Sequence, residues 1–159
     1  RLYETPVGFK YISNLMETQD ILCGGEEAGG MGFKGYIPER DGTVAGLLLL
    51  EMMAHRNKPM MDILQAMERQ FGRYYYLRDD LRLEHRVEPK KEAMPGELAG
   101  KKVVEVRDYD GIKLICEDES WLMFRASGTE ALMRLYSEAK TLKRSRELLS
   151  LGARIINKL

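Results

Sequence analysis

The spacing of apolar residues predicts four helices along the chain. The predicted helices cover residues 5–18, 41–57, 60–71 and 141–159. Capping residues or proline precede the apolar stripes, while Asn-Lys-Pro and glycine end the second and third helices. The second predicted helix is apolar on almost every side, so we expect it to be packed on several faces.

Short apolar, β-branched or aromatic runs predict seven strands. They lie at residues 2–5, 20–24, 74–77, 102–109, 111–116, 120–124 and 133–137. The first two flank a predicted helix, an order that favours a parallel α/β layer. Asp110-Gly111 predicts a hairpin. The last four strands, with the final helix, predict an α+β domain built on a four-stranded sheet.

A charged stretch without clean periodicity separates these two groups of elements. It covers residues 85–100 and contains Pro89, Pro95 and Gly96. Such composition is typical of a linker. The sequence therefore predicts an α/β domain over residues 1–84, a linker over 85–100 and an α+β domain over 101–159.

Composition narrows the class of protein. The 159 residues are 44% hydrophobic and 31% charged, and 25 Lys and Arg balance 25 Asp and Glu. Zero net charge argues against a general nucleic-acid binder.

No apolar run reaches membrane length and no signal peptide is present, so we expect no membrane partner and a cytoplasmic location. Cys23 and Cys116 are expected to be buried free thiols. The chain begins within a predicted strand and without methionine, so we expect a piece of a longer protein.

Residues 125–130, Arg-Ala-Ser-Gly-Thr-Glu, lie between two predicted strands and combine several anion-binding groups. An arginine can meet a phosphate with two parallel N–H donors. Ser127 and Thr129 add hydroxyl donors, Gly128 eases the turn of the backbone, and Arg134 follows as a second cation. The alternative is an ordinary turn between strands, in which Ser-Gly-Thr supplies only turn chemistry.

A second stretch, Gly-Gly-Glu-Glu-Ala-Gly-Gly at residues 24–30, places two carboxylates between glycines. An ionised glutamate accepts two hydrogen bonds at once, which suits sugar hydroxyls. A solvated acidic turn is the alternative. No histidine or third carboxylate lies at metal-ligand spacing, and no Gly-Lys-Ser/Thr follows a glycine loop, which excludes a Walker-type nucleotide site.

Together, the two stretches resemble loops of the α-D-phosphohexomutases, the family of phosphoglucomutase and phosphomannomutase. Residues 124–130 with 133–139 are similar to the phosphate-binding loop of that family's fourth domain. Residues 25–30 are similar to the sugar-binding loop of the third domain. Ala131 stands where the family usually has proline, and Ala28 where it usually has serine.

The resemblance implies roles for individual residues. Those implied to hold the non-reacting phosphate are Arg125, Ser127, Gly128, Thr129 and Arg134. Glu26 would receive the 3- and 4-hydroxyls of the sugar, with Ala28 and Gly30 in the same loop. Lys10 matches the lysine of a family segment that reaches the substrate, where it binds or handles a proton. From the sequence alone, a solvated helix lysine is the alternative.

The resemblance also implies the fold. The chain would hold the third domain, incomplete at its N-terminus, and the fourth, an antiparallel sheet with helix that is TATA-box-binding-protein-like. A helix normally opens the fourth domain, and only a stump at residues 90–94 matches it. Whether that helix is deleted or its residues are missing from this sequence is left open.

The implied activity is that of an intramolecular phosphotransferase, an isomerase of carbohydrate metabolism. Such an enzyme interconverts hexose 1-phosphate and hexose 6-phosphate through a phosphoserine. The phosphoserine and Mg²⁺ loops belong to domains not seen in this chain, so the chain alone should bind phosphosugar without catalysis or a metal ion. Its partners would be the phosphosugar and the N-terminal domains of the same protein. Glucose and mannose phosphates both stay open, because Ala28 replaces the serine. The alternative is a non-catalytic anion-binding or phosphosugar-binding interaction module.

Overall fold

The structure, a computed structural model, describes residues 1–158. The chain divides into two compact units, Arg1–Met67 and Glu68–Leu159. These are called the first unit and the second unit below. No helix in the described residues is both long and apolar enough to cross a membrane.

The first unit contains three helices and a short ribbon of two strands. Their bounds are α1 Phe9–Thr18, β1 Cys23–Gly25, β2 Met31–Phe33, α2 Gly42–Arg56 and α3 Met60–Phe71, the last continuing into the second unit. β1 and β2 pair antiparallel, with Gly24 opposite Gly32. The parallel layer was predicted between residues 2–5 and 20–24, and only the second of these segments contributes to a strand in the described residues, at the start of β1.

The capping signals predicted the bounds of α2 and α3 correctly. Asp41 Oδ1 accepts hydrogen bonds from the backbone N–H groups of Thr43 and Val44, at 2.8 and 3.0 Å. These bonds, led by that of Val44, lower the pKa of Asp41. Asn57 adopts the left-handed conformation that ends α2. Both ends of α2 are thus set by local chemistry, which is why the sequence predicted them.

The start of the first unit differs from the prediction. No strand forms at residues 2–5, where the sequence predicted one. Helix α1 begins at Phe9 rather than at Thr5-Pro6. Gly8 precedes it with a φ of 128°, a conformation open to glycine and rarely adopted by other residues.

Helix α2 is largely exposed, contrary to the expectation that it is packed on several faces. Ala45 is its one buried residue, whereas Leu47 and Leu50 are each 61% exposed. The small β1–β2 ribbon contacts α2 only weakly and cannot cover it. Cys23, predicted to be buried, is also exposed on this ribbon.

The second unit is a six-stranded antiparallel sheet covered by one helix. Its elements are β3 Tyr75–Arg82, β4 Glu97–Leu98, β5 Lys101–Arg107, β6 Ile112–Cys116, β7 Trp121–Ala126, β8 Leu132–Ala139 and α4 Leu142–Ile156. The strand order is β3-β8-β7-β6-β5-β4, so β3 and β4 form the two edges. The four predicted strands are β5 to β8, joined by the predicted Asp110-Gly111 hairpin.

The domain boundary differs from the predicted one. β3 was placed in the first domain, but it pairs with β8 along its whole length, from Tyr75–Ala139 to Arg82–Leu132. The predicted linker, residues 85–100, contains a 3-10 turn and β4, and it places Leu98 in the core with no exposure. Strand pairing between residues distant in sequence leaves no local signal, so composition suggested a linker where the chain is in fact packed.

Alternation along the strands builds the core of the second unit. One face of the sheet carries Leu114, Leu122, Phe124 and Leu135, all with no exposure, against Leu148 of α4. Alternate residues of the same strands point to the opposite face. The second unit therefore has a complete hydrophobic core within the residues described.

Arg144 of α4 connects the helix to the edge of the sheet. Its Nη1 and Nη2 donate to the carbonyl oxygens of Ala99 and Leu98, both at 2.9 Å. Its Nε lies 3.5 Å from Asp118 Oδ2. Cys116 lies beneath this arginine, and burial raises the pKa of its thiol. The network fixes β4 against α4.

Candidate functional site

The Ser-Gly-Thr loop joins β7 to β8. The ladder between these strands closes with Ala126 opposite Met133. Beyond it, Ser127 N–H donates to the carbonyl of Leu132 at 2.8 Å, and Leu132 N–H donates to that of Glu130. The loop is therefore a short continuation of the hairpin, held at its base by backbone hydrogen bonds.

The hydroxyl of Ser127 organises the loop from inside. The residue is only 3% exposed, and its Oγ accepts from the N–H groups of Thr129 and Glu130 at 3.4 and 3.3 Å. Gly128 and Thr129 are exposed above it. Gly128 does not have a positive φ, and a Cβ built there would meet nothing within 4 Å. Its contribution is open space at the tip of the loop rather than an unusual turn.

Two arginines face each other at the base of the loop. Arg125 on β7 is paired directly with Arg134 on β8, so both side chains lie on the same face of the sheet. Like charges in this position repel. Arg125 Nε donates to Asp110 Oδ1 at 3.2 Å, and Asp80 lies opposite Arg134 on β3. Two cations therefore lie on neighbouring strands at the base of the loop, where an anion would relieve their repulsion.

The surroundings of Arg125 stabilise its positive charge. Partial burial acts to lower its pKa, but the Asp110 carboxylate and Tyr136 outweigh burial and raise the pKa above its ordinary value. Arg134 in turn contributes to lowering the pKa of Asp80, after the larger effect of Arg78. Arg125 can therefore serve as a permanent positive charge at the base of the loop.

Gly111 sets the position of Asp110 beside Arg125. It has a φ of 76°, and a Cβ placed on it would lie 2.2 Å from the carbonyl oxygen of Phe124. Only glycine allows so close an approach of the β5–β6 turn to β7. The turn thereby holds the carboxylate at the base of the loop.

The Glu-Glu stretch forms the turn between β1 and β2. Glu26 N–H donates to the carbonyl of Gly30 at 2.9 Å, and Gly29 N–H donates back to the carbonyl of Glu26 at 3.0 Å. The Glu26 carboxylate accepts from Arg40 Nη1 at 2.7 Å, and its side chain is 13% exposed. A Cβ at Gly30 would lie 3.1 Å from both Glu26 Oε2 and Arg40 Cδ. The absence of a side chain at Gly30 makes room for this ion pair.

Ala28 and Lys10, which were also predicted to contact the substrate, are exposed. Ala28 lies at the exposed tip of the turn. Lys10 lies on the first turn of α1 with its Nζ 4.9 Å from the ring centre of Tyr11. The ion pair of Glu26 is with Arg40, not with Lys10. The structure thus brings Glu26 together with a residue that the sequence did not identify.

Three residues that contact these loops were not predicted from the sequence: Arg40, Asp110 and Arg86, whose Nη1 donates to the Gly128 carbonyl at 3.3 Å. Asp110 had been assigned only turn chemistry. Arg40 had one usable signal, since it directly precedes the Asp41 cap in the loop after the glutamates. Arg86 had none. No group of three or more His, Cys, Asp or Glu side chains among residues 1–158 could hold a metal ion.

Comparison with known proteins identifies the family of the chain. Residues 1–71 match the family model described as phosphoglucomutase/phosphomannomutase, alpha/beta/alpha domain III. The phosphoglucomutase/phosphomannomutase of Thermococcus kodakarensis is 30% identical, over 98% of this chain and 33% of that protein. A phosphoglucomutase of Rhizobium radiobacter is 31% identical, over 86% of this chain and 30% of that protein.

Solved structures show the same relationship. A crystal structure that bears the name phosphomannomutase, from Thermus thermophilus, superimposes with a TM-score of 0.77 and 33% identity, over 96% of this chain and 30% of that one. The chain spans about a third of the length of the relatives it matches. The matches begin with the third domain and extend through the sheet that follows it. The chain therefore belongs to the phosphoglucomutase/phosphomannomutase family and corresponds to its C-terminal part.

Proposed function

We propose that this chain is the substrate-binding part of a phosphohexomutase that interconverts hexose 1-phosphate and hexose 6-phosphate. The first unit corresponds to the sugar-binding portion of the third domain, and the second unit to the phosphate-binding fourth domain. The observation that carries the proposal is the pair of opposed arginines, Arg125 and Arg134, at the base of the Ser-Gly-Thr loop. The general activity is supported by the relatives of this chain, which are named phosphoglucomutase/phosphomannomutase and phosphoglucomutase.

The phosphate is proposed to bind at the loop of the second unit. Asp110 accepts from the Nε of Arg125 and so holds the guanidinium at the base of the loop, where its planar fork of donors can meet a phosphate. Arg134 supplies the second charge. The hydroxyls of Ser127 and Thr129 can each donate a hydrogen bond to a phosphate oxygen, and the Ser127 Oγ acts as an acceptor in the bonds it makes within the loop. These contacts hold the phosphate that does not react.

The sugar is proposed to bind at the turn of the first unit. The Glu26 carboxylate has one hydrogen bond from Arg40 and keeps further lone pairs for sugar hydroxyls. Arg40 holds the carboxylate in one orientation. Lys10 is retained as a further substrate contact. Remote contacts of these two kinds increase the rate of phosphoryl transfer, because positioning and charge neutralisation dominate that reaction.

The reacting phosphoserine and the Mg²⁺ that assists it are proposed to come from other domains of the full-length protein. The present chain is then a binding part with no mutase activity of its own. A coupled assay that converts glucose 1-phosphate to glucose 6-phosphate should stay at background with this chain alone. Sustained turnover by pure chain would contradict the proposal.

Calorimetric titration with inorganic phosphate tests the phosphate site. Arg125→Ala should weaken binding by about 1.5–3 kcal/mol, the range for a charge-assisted hydrogen bond. Arg146→Ala, which removes an exposed arginine from α4, is the matched control and should bind as the wild type does. Equal affinity of the Arg125→Ala variant and the wild type would sink the assignment.

The sugar site has its own pair of variants. Glu26→Ala should weaken binding of glucose 1-phosphate while leaving inorganic phosphate binding unchanged. Glu27→Ala removes the exposed neighbouring carboxylate and should change neither. If Glu26→Ala and Glu27→Ala have the same effect, the turn is an ordinary acidic turn.

A further inference from the structure

An arginine from outside the loop motif reaches the phosphate loop. Arg86 Nη1 donates to the carbonyl oxygen of Gly128 at 3.3 Å. The same guanidinium is held from its other side by Glu88, whose Oε1 accepts from Nη2 at 2.9 Å and from Nε at 3.2 Å. Arg86 lies 42 residues before Gly128 in the sequence.

The pairing of β3 explains this position. β3 runs antiparallel to β8, and the ladder continues past its end, since Leu83 N–H donates to the carbonyl of Ala131 at 2.9 Å. Ala131 is the last residue of the loop before β8. The chain that leaves β3 is therefore carried directly alongside the loop, and Arg86 follows three residues later.

The contact fixes one peptide of the loop from both ends. The Gly128–Thr129 peptide has its carbonyl on Arg86 and its N–H on the Ser127 Oγ. A carbonyl oxygen carries partial negative charge and repels an anion that approaches it. With a guanidinium bonded to that oxygen, the rim of the loop presents a positive group in its place.

We propose that Arg86 is a positioning residue of the phosphate site, and this inference rests on the proposed function. It holds the Gly128 peptide in the orientation that accepts a phosphate monoester, and it adds a third arginine to the residues that contact the loop. Glu88 holds Arg86 in turn. The site is thus formed by two segments of the second unit, the loop itself and the chain that follows β3.

The test is titration of the full 159-residue chain with inorganic phosphate, for the wild type and three variants. Arg86→Ala should lower the affinity by about tenfold, the effect of one charge-assisted hydrogen bond. Arg86→Lys keeps the charge and should recover most of that loss. Arg73→Ala is the matched control, because Arg73 lies near the other end of β3, is similarly exposed and also pairs with a glutamate, Glu68. It should bind phosphate as the wild type does.

A purely structural role predicts a different result. Arg86→Ala would then lower the melting temperature and leave phosphate affinity unchanged, which would overturn the inference. An equal loss in Arg73→Ala would overturn it too. If Arg86→Ala binds phosphate normally while Arg125→Ala does not, the inference about Arg86 is wrong and the proposed function stands. If neither variant affects binding, the proposed function fails and this inference fails with it.

Discussion

The two units bury their apolar residues to very different extents. The core of the second unit contains ten buried residues of the sheet and α4, most of them with no exposure at all. In the first unit the buried apolar residues are Phe9, Ile12, Ala45 and Ile63. Four consecutive leucines of α2, at positions 47–50, are 36–61% exposed.

This difference shows that apolar composition alone does not make a core. A helix buries its apolar face only against another layer, and sheets are the layers that cover much of a helix. The second unit has six strands beneath α4, whereas the first has a ribbon of two three-residue strands. The second unit should therefore carry the cooperative stability of the chain, and three pairs of substitutions test this comparison.

The largest effect is expected from Phe124→Ala in the core of the second unit. Phe124 is fully buried, so its removal should lower the free energy of unfolding by about 3–5 kcal/mol. Leu47→Ala in α2 removes an exposed side chain and should change it by less than about 0.5 kcal/mol. Urea unfolding followed by circular dichroism measures both. Comparable losses for the two variants would mean that α2 is part of the same core.

An intermediate effect is expected at Gly111. Alanine there needs a positive φ and collides with the Phe124 carbonyl, a backbone atom that cannot easily move, so we expect a loss of about 1–3 kcal/mol. The counterpart in the first unit, Gly30→Ala, meets only the side chains of Glu26 and Arg40, which can shift. The loss there should be below about 1 kcal/mol. Thermal unfolding of both variants gives the ranking, and a larger loss for Gly30→Ala would reverse the comparison.

The smallest effect is a pH dependence in the second unit. Burial acts to raise the pKa of Asp118, but hydrogen bonds from Ser120 and the charge of Arg144 outweigh it and lower the pKa. A lowered pKa contributes stability above the unfolded-state value of about 3.9. That stability disappears as the pH falls through the folded-state pKa. Asp118→Asn should cost about 0.5–1.5 kcal/mol near neutral pH.

Unfolding measured between neutral and acidic pH checks this expectation. The difference between wild type and Asp118→Asn should shrink steadily as the pH drops. Glu92→Gln, at an exposed position of the 3-10 turn, should follow the wild-type curve throughout. A constant difference at every pH would show that the loss comes from packing rather than from ionisation.

The same contrast separates what the sequence could predict from what it could not. The bounds of α2 and α3 and the Asp110-Gly111 hairpin follow from neighbouring residues, so capping and turn signals were sufficient. The place of β3 depends on β8, more than fifty residues later. No sequence signal near β3 indicates that pairing, so the predicted domain boundary lay after β3 instead of before it.

The candidate site divides along the same line. Sequence motifs identified the residues of the two loops, because a motif is a local string. They did not identify the groups that hold those residues, Arg40 on Glu26 and Asp110 on Arg125. Such partners are set by register and by turns such as that of Gly111, which are consequences of the fold.

The charged edges of the second sheet affect how this protein behaves at high concentration. An unpaired edge strand can recruit a strand from another molecule and so begin a fibril. The β3 edge carries exposed Arg78, Asp80 and Arg82, whose charges would be brought against those of any added strand. At the opposite edge β4 is only two residues long and offers little to extend. The sheet should therefore not add strands from other molecules in concentrated solution. Any aggregation of the protein should begin instead at the exposed leucines of α2.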